Sequence, residues 1–166
     1  MSDQFFFLFF RAYYELQYYT LYKEHSHFWN NFFTILIAVA SCGGIAAWYC
    51  FDLYSMAWPL FVGLMQIVQA VFPHLNYAKR ITPLTYVIQD YSYIYNQIHH
   101  DWNTIYSKSD DEISKLIFAY EQKISDIKGR YLDGVPMPYR EKLRLRAEQE
   151  SEARFKYEFN TQFERM

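Results

Sequence analysis

The chain is 166 residues long, which leaves room for one compact domain, or for a helical hairpin with a modest part outside it. A formal net charge of -2 excludes nucleic-acid binding by bulk charge and would require a local basic patch instead. Hydrophobic residues make up 52% and aromatic residues 22%, yet mean hydropathy is -0.22, because 17 of the aromatics are Tyr, which hydropathy scales score as polar.

Residues 1–27 form the first predicted element, an aromatic amphipathic helix. Asp3 and the bulky run Phe5 to Phe10 stand where a secretory leader would need a basic start and a small-residue cleavage site, so the stretch reads as mature protein. Arg11, Glu15, Lys23 and Glu24 interrupt it too often for a membrane span. Phe and Tyr at this density suit the membrane–water interface, where an apolar ring carries a wet hydroxyl. Packing against other helices is the alternative.

Residues 28–80 read as a helical hairpin in a membrane. Phe28 to Phe51 and Leu53 to Ala78 contain no Asp, Glu, Lys or Arg, and Asp52 alone separates them. Each run exceeds the roughly 20 apolar residues that cross a hydrocarbon core as helix, so spans are expected over about 28–51 and 53–78. Ala40, Ser41, Gly43, Gly44 and Ala47 would let a second helix approach the first. Cys42 and Cys50 lie about 12 Å apart along that helix, too far for a disulfide, and read as small apolar residues. In the second run Pro59, Gly63, Gln66, Ala70, Pro73 and Tyr77 recur at spacings of four and three, a stripe separate from Leu60, Leu64, Ile67 and Val71. Gln66 and Gln69 are costly against lipid and should face protein or water. Gly63, Gln66, Gln69, Ala70 and Pro73 are therefore the expected pore-lining set, with tight packing in a closed bundle as the alternative. Two helices cannot enclose a water path, so a pore would need several copies. Lys23 on one side, and Lys79 with Arg80 on the other, flank the pair as membrane anchors. The loop at Asp52 to Ser55 lacks Lys and Arg, so the positive-inside rule puts both termini in the cytoplasm.

Residues 81–166 read as a cytoplasmic helical domain. Leu84, Ile88, Tyr91, Tyr95, Ile98, Trp102 and Ile105 alternate by four and three, a helical seam. Lys108-Ser109-Asp110 breaks it, and Ser109 or Asp110 can cap the next helix. Ile113, Ile117, Tyr120, Ile124, Ile127 and Tyr131 form a second seam, and Val135-Pro136-Met137-Pro138 ends it. A third, highly charged helix runs from Tyr139 to about Phe163. Two seams in sequence suggest an antiparallel pair, completed by the third helix or by other subunits. The fold class is thus all-α, with no strand candidate and an oligomer expected, a tetramer by preference.

Catalytic chemistry is absent from the pattern. His99-His100-Asp101 points its side chains about 100° apart on a helix and does not converge on one ion. No Ser–His–Asp arrangement, phosphate-cradling glycine loop or metal-ligand spacing is present, so no catalytic residue, metal or cofactor is expected. Tyr139, Arg140, Lys142, Arg144 and Arg146 mix a base-stacking ring with guanidinium groups that suit phosphate. Tyr139, Arg140, Arg144 and Arg146 are the candidate site for an anionic ligand shared between subunits. Glu141, Glu148, Glu150 and Glu152 stand close by, and a solvated helix with i,i+4 pairs is the alternative.

The order of elements resembles the SLATT domains, two-span effector domains found beside SMODS-type nucleotidyltransferases and SLOG sensors. The resemblance is carried by the aromatic lead-in Tyr13 to Trp29, the hairpin with its minimal loop, and the tract Trp102 to Phe159 with Pro136, Pro138 and Ala147. It covers nearly the whole chain and implies a pore-forming effector of a prokaryotic antiviral or conflict system. Such an effector sits in the inner membrane as a multi-pass protein and depolarises it. The implied signal is a nucleotide or oligonucleotide made by a neighbouring nucleotidyltransferase, or a sensor partner. The alternative is a non-conducting membrane adaptor that recruits a partner through its cytoplasmic helices.

Overall fold

In the computed structural model the described backbone comprises Ser2–Cys50 and Ala57–Phe163, with side chains described over 3–41 and 60–158. Five helices follow one another: α1 (Ser2–Cys50), α2 (Ala57–Val71), α3 (Tyr77–Trp102), α4 (Asp110–Leu132) and α5 (Glu141–Phe163). Short 3-10 turns at Phe72–Leu75 and Ile105–Ser107 join α2 to α3 and α3 to α4. The fold class is all-α, with no strand among the described residues.

The expected N-terminal helix and first apolar run are one continuous helix of 49 residues. One face of its first half packs against other helices, the alternative the sequence offered. Phe5, Phe9, Ala12 and Tyr22 are essentially inaccessible and share one core with α3, α4 and α5. The aromatic seam supplies the reason. Phe5 stacks on Trp102, Phe9 on Tyr95, and Tyr19 meets Tyr91 edge-on, so α1 and α3 run antiparallel through interlocked rings. On the other side Phe155 of α5 closes against Phe6, Phe9, Phe10 and Tyr13. The predicted seams supply the remaining walls. Leu84, Tyr91, Tyr95, Ile98, Trp102 and Ile105, then Ile113, Tyr120, Ile124 and Ile127, are buried.

The second half of α1 and α2 pack as a hairpin, with Phe33 against Phe72 and Met65 buried between the helices. The multi-pass membrane location with both termini cytoplasmic is overturned. No helix among the described residues is long and apolar enough to cross a membrane. The expected second span over 53–78 is cut short. Pro73 withholds a backbone donor and Asn76 takes a left-handed conformation at φ 55, so α2 ends at Val71. The described helix, Ala57–Val71, is about 22 Å long against a hydrocarbon core of about 30 Å. In the described part of α1 the apolar stretch from Phe28 to Ser41 also contains Asn30, Asn31 and Thr34. Arg80, expected to anchor at a membrane surface, is instead buried in the bundle. The side chains of Cys42, Gly43, Gly44, Ala47, Cys50 and Pro59, and the loop from Asp52 to Ser55, lie outside the described residues.

Candidate functional site

A tyrosine–arginine seam forms where the loop after α4 meets α1. Pro136 and Pro138 keep residues 133–140 out of helix, and Tyr22 donates its hydroxyl to the Pro138 carbonyl at 3.3 Å, fixing that loop to α1. α5 then starts at Glu141, with the Arg144 amide bonded to the Arg140 carbonyl at 3.1 Å. Arg140 and Arg144, four residues apart, share one side of this turn, and Tyr139 projects beside them with 70% of its surface exposed. From α1 the neighbouring groups are Tyr14, Tyr18 and His25.

Their electrostatics report that proximity. Burial raises the Tyr14 hydroxyl above its ordinary pKa while the Arg144 charge acts against it. Burial also raises Tyr18, with Arg140 opposing. Burial and then the Arg140 charge push the His25 imidazole down, so it is biased neutral. Tyr139 is the main influence holding Arg144 above its ordinary value. Two guanidinium donors, Arg140 Nε and Arg144 Nε, are covered yet have no hydrogen-bond partner, as does His25 Nε2. The nearest carboxylate to Arg144 is Glu148, at a loose 3.7 Å. The arrangement can hold a planar anion: guanidinium donors for phosphate or carboxylate, and tyrosine faces for a ring.

Three of the four expected ligand residues are therefore brought together. Arg146 is not, because two residues of helix turn it about 200° from Arg144. It is exposed and paired with Glu150 at 2.7 Å, the solvated i,i+4 pair the sequence offered as an alternative. Sequence reasoning missed Tyr14, Tyr18 and His25. Their spacing of four and seven puts them on one side of α1, a signal that was available, but nothing in it names α5 as the partner.

The expected pore-lining stripe divides. Gln66 and Gln69 line a cleft of about 240 Å³ between α1 and α2, with Ser41, Ile37 and Met65. Ala70 and Pro73 are exposed, and a Cβ added at Gly63 would meet no described atom within 4 Å. The face of α2 that packs on α1 is instead Met65 with Val68 and Phe72, joined by Phe61 and Val62.

A second polar node stands on the other side of the bundle. Glu15 accepts from Lys128 at 2.8 Å, from Arg11 at 3.1 Å and from the Tyr91 hydroxyl. It ties α1 to α3 and α4. No group of His, Cys, Asp and Glu suited to a metal ion occurs among the described residues. Comparison with protein-family models, curated proteins and solved structures finds no match to this chain.

Proposed function

We propose that the chain is a non-catalytic helical adaptor that assembles with copies of itself through the α1–α2 hairpin and takes an anionic ligand at the α1–α5 seam. The observation that carries this reading is the outer surface of the hairpin. Phe28, Phe32, Ile35 and Val39 on α1, and Leu60, Leu64, Ile67 and Val71 on α2, are all exposed. Apolar patches of this extent mark association surfaces. Burying one such side chain contributes roughly 1.5–3 kcal/mol, so even partial coverage supports a stable contact. Asn31, Gln66 and Gln69 are exposed on the same hairpin, and amides pair readily with their own copies across a symmetry axis. A homo-oligomer, with a tetramer as the expected stoichiometry, follows. A pore would need helices that cross a bilayer, which the described residues do not supply, so the partner-recruiting alternative is adopted.

The seam supports the ligand class. Unpaired guanidinium donors beside tyrosine rings suit a phosphate-bearing ligand with a planar group, and the resemblance to SLATT domains implies a nucleotide signal. Sedimentation equilibrium tests the assembly. The wild type should sediment as an oligomer, and the triple substitution Leu60→Gln, Leu64→Gln, Ile67→Gln should sediment as a monomer with unchanged helical circular dichroism. A monomeric wild type, or an oligomer that survives the triple substitution, would overturn the reading.

A further inference from the structure

Two buried residues with unpartnered polar atoms, Arg80 and Ser26, lie at one level near the start of α3. Arg80 lies on the core face of that helix, one turn before Leu84, and only 7% of it is exposed. Arginine keeps its charge when buried. Among the described residues no carboxylate pairs with Arg80, and its Nε has no hydrogen-bond partner. Its guanidinium carbon lies 5.6 Å from the centre of the Tyr77 ring, so the side chain folds back over the first turn of its own helix. That turn is itself open. Asn76 caps it in a left-handed conformation, its side chain donates to the His74 carbonyl at 3.1 Å rather than accepting from a helix amide, and the turn contains no acidic residue. Lys79 adds a second cation there.

The facing side of α1 repeats the pattern. Ser26 is fully buried and its hydroxyl has no partner, whereas Ser41, Ser92 and Ser151 each donate to the carbonyl four residues earlier. The antiparallel register set by Phe5–Trp102, Phe9–Tyr95 and Tyr19–Tyr91 carries Arg80 to the level of Ser26 and Asn30 on α1. Glu24 cannot reach across. It lines the exposed cleft on the far side of α1 with Lys23 and His27.

A buried charge without a counter-charge is strongly unfavourable. The group that relieves it here is an anion that accepts from Arg80 and from the free amides of the first turn of α3, with the helix dipole acting in the same sense. Several donors within one helical turn, with two cations, match the charge and oxygen count of phosphate better than a single carboxylate. We propose that this junction binds a phosphate group, free or esterified, held by Arg80, Lys79 and the leading amides of α3, with Ser26 as a further donor. The site is separate from the α1–α5 seam, and its failure would leave that seam untouched.

The test uses the full chain and two phosphate sources: equilibrium dialysis with labelled inorganic phosphate, and flotation with vesicles of phosphatidylcholine alone or with phosphatidic acid. The wild type should take up at least one source, Arg80→Gln should weaken uptake tenfold or more, and Arg146→Gln, which removes an exposed charge paired with Glu150, should leave it intact. Uptake of inorganic phosphate assigns a soluble anion. Flotation on phosphatidic acid without uptake of inorganic phosphate assigns a lipid headgroup. A melting experiment separates binding from packing. In phosphate-free buffer Arg80→Gln should melt no lower than the wild type, since it removes an unpaired buried charge, and added phosphate or vesicles should raise the wild type alone. Uptake of neither source, uptake indifferent to Arg80→Gln, or a variant that melts well below the wild type without phosphate would overturn the proposal.

Discussion

At Glu15 a single carboxylate joins three helices, and its titration is readable. Burial opposes its charge, but Lys128, Tyr91 and Arg11 outweigh burial and hold it below the ordinary glutamate value of 4.5. A depressed native pKa means that the unfolded chain binds the proton first as pH falls. The stability from Glu15 is therefore complete above the ordinary value and is lost as pH drops through the lower native one. Glu15→Gln should cost about 2 kcal/mol at neutral pH, as for hydrogen bonds to a charged group. It should also flatten the acid limb of a plot of melting temperature against pH, and an unchanged acid limb would contradict this account. The seam residues make a separate prediction. Arg140→Glu with Arg144→Glu should weaken binding of a fluorescent nucleoside triphosphate tenfold or more at unchanged helicity and oligomer size. Arg146→Glu should do nothing, because Arg146 points to solvent and pairs with Glu150. Equal losses from both changes would mean that bulk charge, not the seam, governs binding.

Among the elements, α4 shows local sequence fixing a boundary. Ser109 accepts from the Glu112 amide, and Glu112 returns the bond to the Ser109 amide at 2.8 Å, a reciprocal capping box. Ser109→Ala should lower stability by about 1 kcal/mol, read from urea unfolding. This cap and the seams of α3 and α4 were legible because each depends on neighbours within a turn or two. The partner of α1 was not, since rings such as Phe5, Phe9 and Tyr22 suit a membrane interface and an aromatic core equally. The length of α2 was misread for a different reason. Absence of charge says nothing about the stop at Pro73 and Asn76, and the Leu60, Leu64, Ile67 and Val71 stripe turned outward while Met65 and Phe72 faced α1 and Gln66 lined the cleft between the helices. Half of the candidate site was visible as Tyr139, Arg140 and Arg144. Its other half, Tyr14, Tyr18 and His25, is joined to it only by tertiary packing.

The whole molecule is a bundle with an apolar hairpin grown from two of its members, and α1 belongs to both. Removing α5 by ending the chain at Leu132 should expose Phe6, Phe10 and Tyr13, which Phe155 otherwise covers. Strong binding of the dye ANS by the shortened chain, and weak binding by the full one, is the expected result. The same topology has a consequence during synthesis. Tyr13 bonds to Arg154, 141 positions later, and Phe6 packs on Phe155. At a ribosomal rate of about 5–20 residues per second, the aromatic run Phe5 to Phe10 waits roughly 7–30 s for the helix that covers it. For that interval the nascent chain presents six bulky residues to the cytosol or to whatever factor is bound at the ribosomal exit. Yield in the cell should then depend on a holdase that grips the first α1 turns, and slower translation should deepen that dependence without altering the stability of the finished protein.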